Sequence, residues 1–178
     1  MLSGRTLALD VGNRRIGLAI TDPLNLTAQP LFTLHRSTLH ADLRSIASFI
    51  RQKNVTALVV GNPLHADGSP SPQSARAQAF AAELFARHPT LEHHMLDERL
   101  TTRDAHALLD ATAGRHRSGP ADRLARKDRI DQVAATLLLE AFLSLHHGPA
   151  LLPDPDADPN NNSDHNPDAD ENPDPPTS

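Results

Sequence analysis

The segment Leu7 to Pro23, LALDVGNRRIGLAITDP, constrains the fold most, because two short apolar strands meet in it at a tight turn. Large apolar and small residues alternate along both strands, which predicts a β-hairpin with one apolar face and one face of small residues. The turn from Gly12 to Arg15 closes this hairpin. Asp10 falls on the small-residue face at the end of the first strand. A carboxylate there costs free energy unless turn amides or a metal ion satisfy it.

The composition excludes several kinds of site. A chain of 178 residues is long enough for one domain with a real core, built here without Trp or Tyr. The lack of cysteine excludes disulfides, thiol catalysis and cysteine-type zinc sites. No signal peptide or membrane-spanning stretch is visible, so we expect a cytoplasmic protein.

The charge is divided unevenly between the body and the end of the chain. The net charge is −5, but eight acidic residues and no Lys or Arg follow Gly148, which leaves +3 for the rest. We therefore expect one folded domain over residues 1–148 and a disordered acidic tail rich in Pro, Asp and Asn over 149–178. This tail is either inert, a solubiliser, or a weak competitor for an anionic ligand.

Periodicity and turn signals predict the elements that follow the hairpin. They are a strand over Gln29–Arg36, a helix over Leu39–Lys53, a strand over Val55–Gly61, a helix over Pro72–Arg87 capped by Ser71, and a strand over Leu91–Leu96. The second of these helices is expected to bury Ala75, Ala79, Phe80 and Leu84. Three consecutive strands followed by alternating helices and strands predict an α/β fold with a mixed five-stranded sheet.

The end of the body is expected to contain two further helices. Thr101 and Asp104 have the spacing of a capping box, which predicts a helix that ends by Gly114. The basic stretch Arg115–Lys127 lacks a clear apolar period and is interpreted as a mobile connection. The last helix then carries a broad apolar face from Ile130 to Leu145, with Asp128 as a candidate N-cap.

Three carboxylates are candidates for chemistry. Asp10 ends a strand, Glu98 lies where the fifth strand should end, and Asp131 is expected in the first turn of the last helix. Asp97 is as good a candidate as Glu98 on spacing alone, and the helix dipole by itself would explain Asp131. Carboxylates that converge from three elements are typical of sites for Mg²⁺ or Mn²⁺ that hydrolyse phosphodiesters.

Basic residues flank these acids, as a polyanionic substrate requires. The candidates for nucleic-acid binding are Arg14, Arg15, Arg99, Lys127 and Arg129. The 11 histidines include the adjacent pairs His93-His94 and His146-His147. Neighbours on a strand point to opposite faces, so these pairs do not predict a metal site.

Four segments together resemble the YqgF (RuvX) family of Holliday-junction-resolvase-like and pre-16S rRNA nucleases. They are LALDVGNRRIGLAITDP, VVGNPLHADGSPSPQSARAQAFA, LDERLTT and RIDQVAATLLLEAFL, and the resemblance spans Leu7 to Leu145. It implies a ribonuclease-H-like fold, a divalent-metal site and cleavage of nucleic acid, with the acidic positions at Asp10, Glu98 and Asp131. Other resolvases of the superfamily have an acid at the end of the fourth strand, where this chain has Asn62. Glu98 would have to substitute for that acid.

The leading hypothesis is therefore a metal-dependent endonuclease that acts on structured RNA in the 5′-end maturation of pre-16S rRNA. A four-way DNA junction is the alternative substrate, because phosphate contacts hold either polymer. Two other readings stay open at this point. One is a noncatalytic nucleic-acid-binding module, and the other is a relative of the actin and sugar-kinase ATPases, since these also carry the pattern D-x-G. The chain could act as a monomer or a homodimer.

Overall fold

The computed structural model of the protein describes residues 4–100 and 120–147. The strands are β1 (Arg5–Val11), β2 (Arg15–Thr21), β3 (Ala28–His35), β4 (Val55–Asn62) and β5 (Glu92–Asp97). The helices are α1 (Leu39–Lys53), α2 (Pro72–Arg87) and α3 (Pro120–His147), and a single 3₁₀ turn covers Glu98–Leu100. From β3 to β5 the strands and helices lie within one residue of their predicted bounds, whereas β1 begins two residues before Leu7. In this part of the chain, no helix has the length and hydropathy needed to cross a membrane.

The five strands form one mixed sheet in the order β3-β2-β1-β4-β5. The first three strands are antiparallel neighbours, whereas β4 and β5 run parallel to β1 and to each other. This is the arrangement of a ribonuclease-H-like sheet, and the predicted fold class is confirmed. The sheet's centre is β1, so Asp10, the penultimate residue of β1, lies near the middle of one edge.

The two faces of the sheet differ in the size of their side chains, as the alternation in the hairpin predicts. Helices α1 and α2 cover the face that carries the large apolar residues, among them Leu7, Leu9 and Leu18. Helix α3 covers the other face, where Ala8 and Ala19 pack against its buried residues. Small residues let the helix approach the strands closely, so the backbone of α3 lies near the backbone of the sheet.

Helix α3 crosses all of the sheet diagonally. At β3 the Thr33 hydroxyl donates to the main-chain carbonyl of Asp128 at 2.7 Å. Farther along the helix, Leu138 lies over β4, with its Cδ2 3.3 Å from the place of a Cβ on Gly61. At β5 the ring of Phe142 lies 4.8 Å from the ring of His94. The part of the helix from Asp128 to Phe142 is therefore anchored by the sheet, and its residues have fixed places above it.

The start of α3 corrects the prediction for the basic segment. Residues Pro120 to Lys127 are helical and do not form a connection. Their sequence shows no apolar stripe because this part of the helix is exposed, and even Leu124 is 48% exposed. Asp131 is accordingly not in the first turn, and Asp128 is not the N-cap.

The predicted capping-box helix and its boundary at Gly114 lie outside the described residues, as does the acidic tail. The division into a domain over 1–148 and a tail over 149–178 therefore stays a prediction.

The buried face of α2 also differs from the prediction. Phe80 and Leu84 are buried as expected, and Ser71 caps the helix by accepting from the amide of Ser74 at 2.9 Å. Ala75 and Ala79, however, are exposed, while Ala77 and Ala81 are buried. Alanines at several helical positions fit either face, so their pattern alone could not distinguish the two.

The corrected face of α2 can be tested with one pair of variants. Ala77→Leu should lower the free energy of unfolding by about 1–3 kcal/mol, because Ala77 has no exposed surface and the core has no room for three more carbons. Ala75→Leu, two residues away on the exposed side, should change it by less than about 0.5 kcal/mol. Urea unfolding measures both, and equal losses would contradict this placement.

Candidate active site

Asp10 lies between two glycines in a row that crosses three strands. Gly17 of β2 is its antiparallel partner. On the other side Leu9 aligns with Val60 of β4, so the next residues, Asp10 and Gly61, lie side by side. Alternation from the buried Ala8 places Asp10 on the face that α3 covers, where its side chain is half-buried. Because both neighbours are glycines, no side chain of β2 or β4 takes up the space beside this carboxylate.

Residues that carry the other two candidate acids fill those spaces. A Cβ on Gly17 would overlap the main-chain carbonyl of Asp131, which therefore packs directly on β2. A Cβ on Gly61 would overlap Oε1 of Glu98 and lie 3.3 Å from its Cδ. The sheet thus places Glu98's carboxylate and Asp131's main chain on either side of Asp10.

Glu98 is the most perturbed acid of this group. Burial, together with the smaller effect of the negative charges of Asp10 and Asp97, raises the pKa of Glu98 from its ordinary value of 4.5 to about 7. Asp10 is therefore close enough to Glu98 for their charges to repel. Two facing acids in a partly buried site are a typical setting for a cation or for proton transfer.

The structure distinguishes Glu98 from its neighbour Asp97. Asp97 accepts hydrogen bonds from the Arg99 side chain, at 2.6 Å from Nη2 and 2.9 Å from Nε, and from the Arg99 amide at 3.0 Å. These bonds lower the pKa of Asp97. Arg99 Nη1 also donates to the carbonyl of Ala66 at 3.3 Å. Asp97 therefore closes the turn, while Glu98 between these two residues faces the site.

Asp131 has a different environment from the other two acids. Its carboxylate accepts a hydrogen bond from Nε of Arg15, and Oδ1 of Asp128 lies 3.9 Å from the same nitrogen. Within residues 4–100 and 120–147, no three His, Asp or Glu side chains are grouped to hold a metal ion. The structure therefore brings Asp10 and Glu98 together and directs the Asp131 carboxylate to Arg15, and the joint metal role of all three stays a prediction.

The five basic candidates also divide into two groups. Arg14, Lys127 and Arg129 are exposed. Arg15 and Arg99 instead form the ion pairs with Asp131 and Asp97. The first group is available to an anionic ligand, whereas Arg15 orients Asp131 and Arg99 holds the turn that carries Glu98.

Asn62 does not belong to the site. Its Oδ1 accepts from the hydroxyl of Ser74 at 2.6 Å and from the amide of Gln78 at 3.3 Å, both on α2. The side chain therefore lies on the face opposite Asp10. The end of β4 presents only Gly61 to the site, and Glu98 occupies the space above it.

Comparison with known proteins identifies the family. The model of the RuvX family, described as Holliday junction resolvase, matches residues 4–145. The chain belongs to the RuvX family. Within it, a Moorella thermoacetica protein named "Putative pre-16S rRNA nuclease" is 44% identical over 140 residues, covering 78% of this chain and 94% of the relative. A relative of the same name from Koribacter versatilis is 41% identical over 140 residues, covering 79% and 86%.

A solved structure, Thermus thermophilus RuvC in complex with a Holliday junction substrate, has a TM-score of 0.49 at 12% identity and covers 82% of this chain and 96% of its own. The RuvX match includes every candidate acid and basic residue named above. Its bounds also agree with the predicted resemblance over Leu7 to Leu145.

The histidine pair on β5 has the predicted opposite orientations. His93 stacks on Phe85 of α2 with ring centroids 4.3 Å apart, and its Nε2 lies 2.8 Å from the carbonyl oxygen of His88. His94 packs on the other side against Phe142 and His146 of α3. Burial lowers the pKa of His94. Both rings serve as packing groups for the two layers.

Sequence analysis missed Arg36, which supports the turn after Asp10 in this RuvX protein. Its Nη1 donates to the carbonyl of Gly12 at 2.9 Å, and its Nε donates to the buried carboxylate of Asp42 at 3.2 Å. The guanidinium also lies over the ring of Phe80, 5.2 Å from its centroid. An arginine after a strand carries no distinctive signal, so only its three-dimensional contacts reveal this role.

The raised pKa of Glu98 predicts a pH-dependent stability in the absence of divalent cations. The folded protein keeps a proton on Glu98 up to about pH 7, which the unfolded chain releases near pH 4.5. Stability from this group is thus complete below pH 4.5 and is lost as the pH rises through 7. Glu98→Gln removes this loss, so at pH 8 the variant should be more stable than the wild type by roughly 2 kcal/mol, and by less at pH 5.

Urea unfolding with a chelator present, at pH 5 and pH 8, measures this difference. Glu83→Gln, which changes an exposed glutamate of α2, serves as the control and should show the same small difference at both pH values. A Glu98→Gln difference that does not grow between pH 5 and pH 8 would contradict the burial and repulsion described here.

Proposed function

We propose that this RuvX protein is a divalent-metal-dependent endonuclease that hydrolyses phosphodiester bonds of structured RNA, in the 5′-end maturation of pre-16S rRNA. The observation that carries the proposal is the placement of Asp10 and Glu98 together at one edge of the sheet, with exposed cations on the adjoining elements. The names of the relatives at about 40% identity support the RNA substrate. Because rRNA maturation takes place in the cytoplasm, we propose that the protein acts there.

The residues of the site fit a divalent cation. Asp10 and Glu98 offer carboxylate oxygens, which are the donors that Mg²⁺ and Mn²⁺ prefer. Burial and, to a smaller extent, repulsion by Asp10 raise the pKa of Glu98, and a cation between the two carboxylates would remove that repulsion. Asp131 would join them as a third ligand by exchanging Arg15 for the ion. A bound divalent cation supplies an activated water and stabilises the charge on the leaving oxygen.

The rest of the site binds and orients the substrate. Arg14, Lys127 and Arg129 are exposed and would contact backbone phosphates, which carry affinity but no sequence information. Arg15 and Arg99 would keep Asp131 and Glu98 in place between turnovers. Helix α3 covers the inner end of the site and would exclude bulk water from one side of the carboxylates.

A four-way DNA junction is the second candidate substrate. It is favoured by the description of the matching family as Holliday junction resolvase. The proposed phosphate contacts would hold either polymer, so the same residues serve both candidates.

Loss of one ligand should abolish cleavage without unfolding the protein. Asp10→Asn keeps the size of the side chain but removes its charge, so we expect at least about a hundredfold loss of cleavage with an unchanged fold. Glu83→Gln should cleave like the wild type. Gel assays with Mg²⁺ or Mn²⁺ on precursor 16S rRNA, single-stranded DNA and a four-way junction measure the activity and rank the substrates.

Preference for the rRNA precursor would support the proposal, and preference for the junction would move it to the second candidate. Failure of the wild type on all three substrates with either metal would overturn the nuclease assignment. Binding that survives Asp10→Asn and is indifferent to chelator would then indicate a noncatalytic module.

The exposed cations of α3 should contribute to binding through phosphate contacts. Lys127→Glu should weaken binding of RNA and of DNA about equally, and it should reduce the dependence of affinity on salt. The matched control is Lys53→Glu, at the C-terminal end of α1 on the opposite face of the sheet. Fluorescence anisotropy between about 50 and 200 mM salt measures both variants, and an equal effect of the control would contradict the assigned surface.

A further inference from the structure

Gly61, near the end of β4, contributes no side chain to the site. It follows the doubly covered run of β4 and lies beside Asp10 on the face under α3. Glycine at a strand end often indicates close approach by another group. Here that group is the Glu98 carboxylate, since a Cβ on residue 61 would overlap Oε1 and lie 3.3 Å from Cδ.

The other polar residue at this end of β4 is directed away from the site. Asn62 is held on the α2 side by its bonds to Ser74 and Gln78. The period of two therefore leaves residue 61 as the position of β4 that faces Asp10 at this level. The place is filled from the neighbouring strand, because Glu98 extends sideways from the end of β5.

The turn that carries Glu98 is held closed independently of the space above Gly61. Asp97 accepts from both the main chain and the guanidinium of Arg99, and Arg99 reaches the carbonyl of Ala66 beyond β4. The backbone of Glu98 is therefore fixed, whereas its flexible side chain can rotate away from residue 61. A new side chain at residue 61 would displace the carboxylate rather than the turn.

We propose that Gly61 is a positioning residue of the site. Because it has no side chain, the space beside Asp10 at the end of β4 stays open to the Glu98 carboxylate, which extends into it from the end of β5. This inference rests on the proposed metal-dependent function. It adds that the site needs a carboxylate in the space at residue 61, and that a side chain of either residue 61 or residue 98 could supply it.

Mn²⁺ binding by calorimetry, without substrate, separates this role from general packing. The wild type should bind Mn²⁺, and Glu98→Gln should bind it more weakly. Gly61→Ala should weaken binding by at least about tenfold, because the methyl group displaces the carboxylate. Thermal unfolding of each variant shows whether the fold is retained.

Two double variants test whether the carboxylate can be relocated. In Gly61→Asp/Glu98→Ala, the shortened residue 98 vacates the space and the new acid on β4 fills it, so we expect Mn²⁺ affinity to exceed that of Glu98→Ala by about tenfold. In Asn62→Asp/Glu98→Ala the new acid faces α2, and we expect no recovery. This pair also decides the matter if Gly61→Ala fails to fold.

Each outcome separates the two proposals. If the wild type binds no Mn²⁺, or if Glu98→Gln binds it equally well, the proposed function fails in its metal site. If binding depends on Glu98 but Gly61→Ala binds like the wild type, the positioning role of Gly61 is wrong while the proposed function stands. Equal recovery in both double variants, or recovery in neither, would also overturn the role of Gly61.

Discussion

The close approach of α3 to the small-residue face of the sheet is the constraint on which the site depends. Gly17 admits the main-chain carbonyl of Asp131, and the alanines on β1 and β2 keep the whole interface thin. A helix held at that distance places its residues from Asp128 onward above particular strands. The same close packing leaves no room for a bulky side chain beside Asp10, so small residues and the acidic site are consequences of one arrangement.

The placement of Asp10 and Glu98 close together does not favour the stability of the fold. Burial of Glu98 near Asp10 costs free energy once both are ionised, which is why its pKa lies near 7. Asp97 in the same turn shows the opposite solution, because Arg99 compensates its charge and lowers its pKa. Neighbouring carboxylates of one turn thus have pKa values shifted in opposite directions, and the one with the raised pKa faces Asp10. Such a local conflict is expected where function, rather than stability, determines the residue.

The sequence predicts the sheet well because alternation in β1 and β2 is unambiguous, and a one-residue slip would place Asp10 on the wrong face. It fails at α3, where the exposed turns around Leu124 carry no apolar stripe and resemble a loop. That error moved Asp131 into a first turn and made Asp128 its cap. The candidate acids are visible as residue types at strand ends, but contacts between strands are not. Glu98 over Gly61 depends on the register of β4 and β5, which local patterns do not encode.

An arginine beside an acid can either bind the phosphate of a substrate or form an ion pair with the acid, and the structure distinguishes these two roles at this site. In the sequence, Arg15 and Arg99 stand near Asp10 and Glu98 and suggest a surface for phosphate. In the fold, each arginine pairs with a carboxylate and fixes the turn or helix that carries a candidate ligand. Partly exposed pairs of this kind add little to stability, but their directional bonds restrict geometry. The three candidate cations without such a pair, Arg14, Lys127 and Arg129, lie on the hairpin turn and on α3, the two elements that bring Asp10 and Asp131 to the same edge of the sheet. In the proposed function, substrate attraction and ligand placement therefore belong to different cations, so a change in one need not disturb the other.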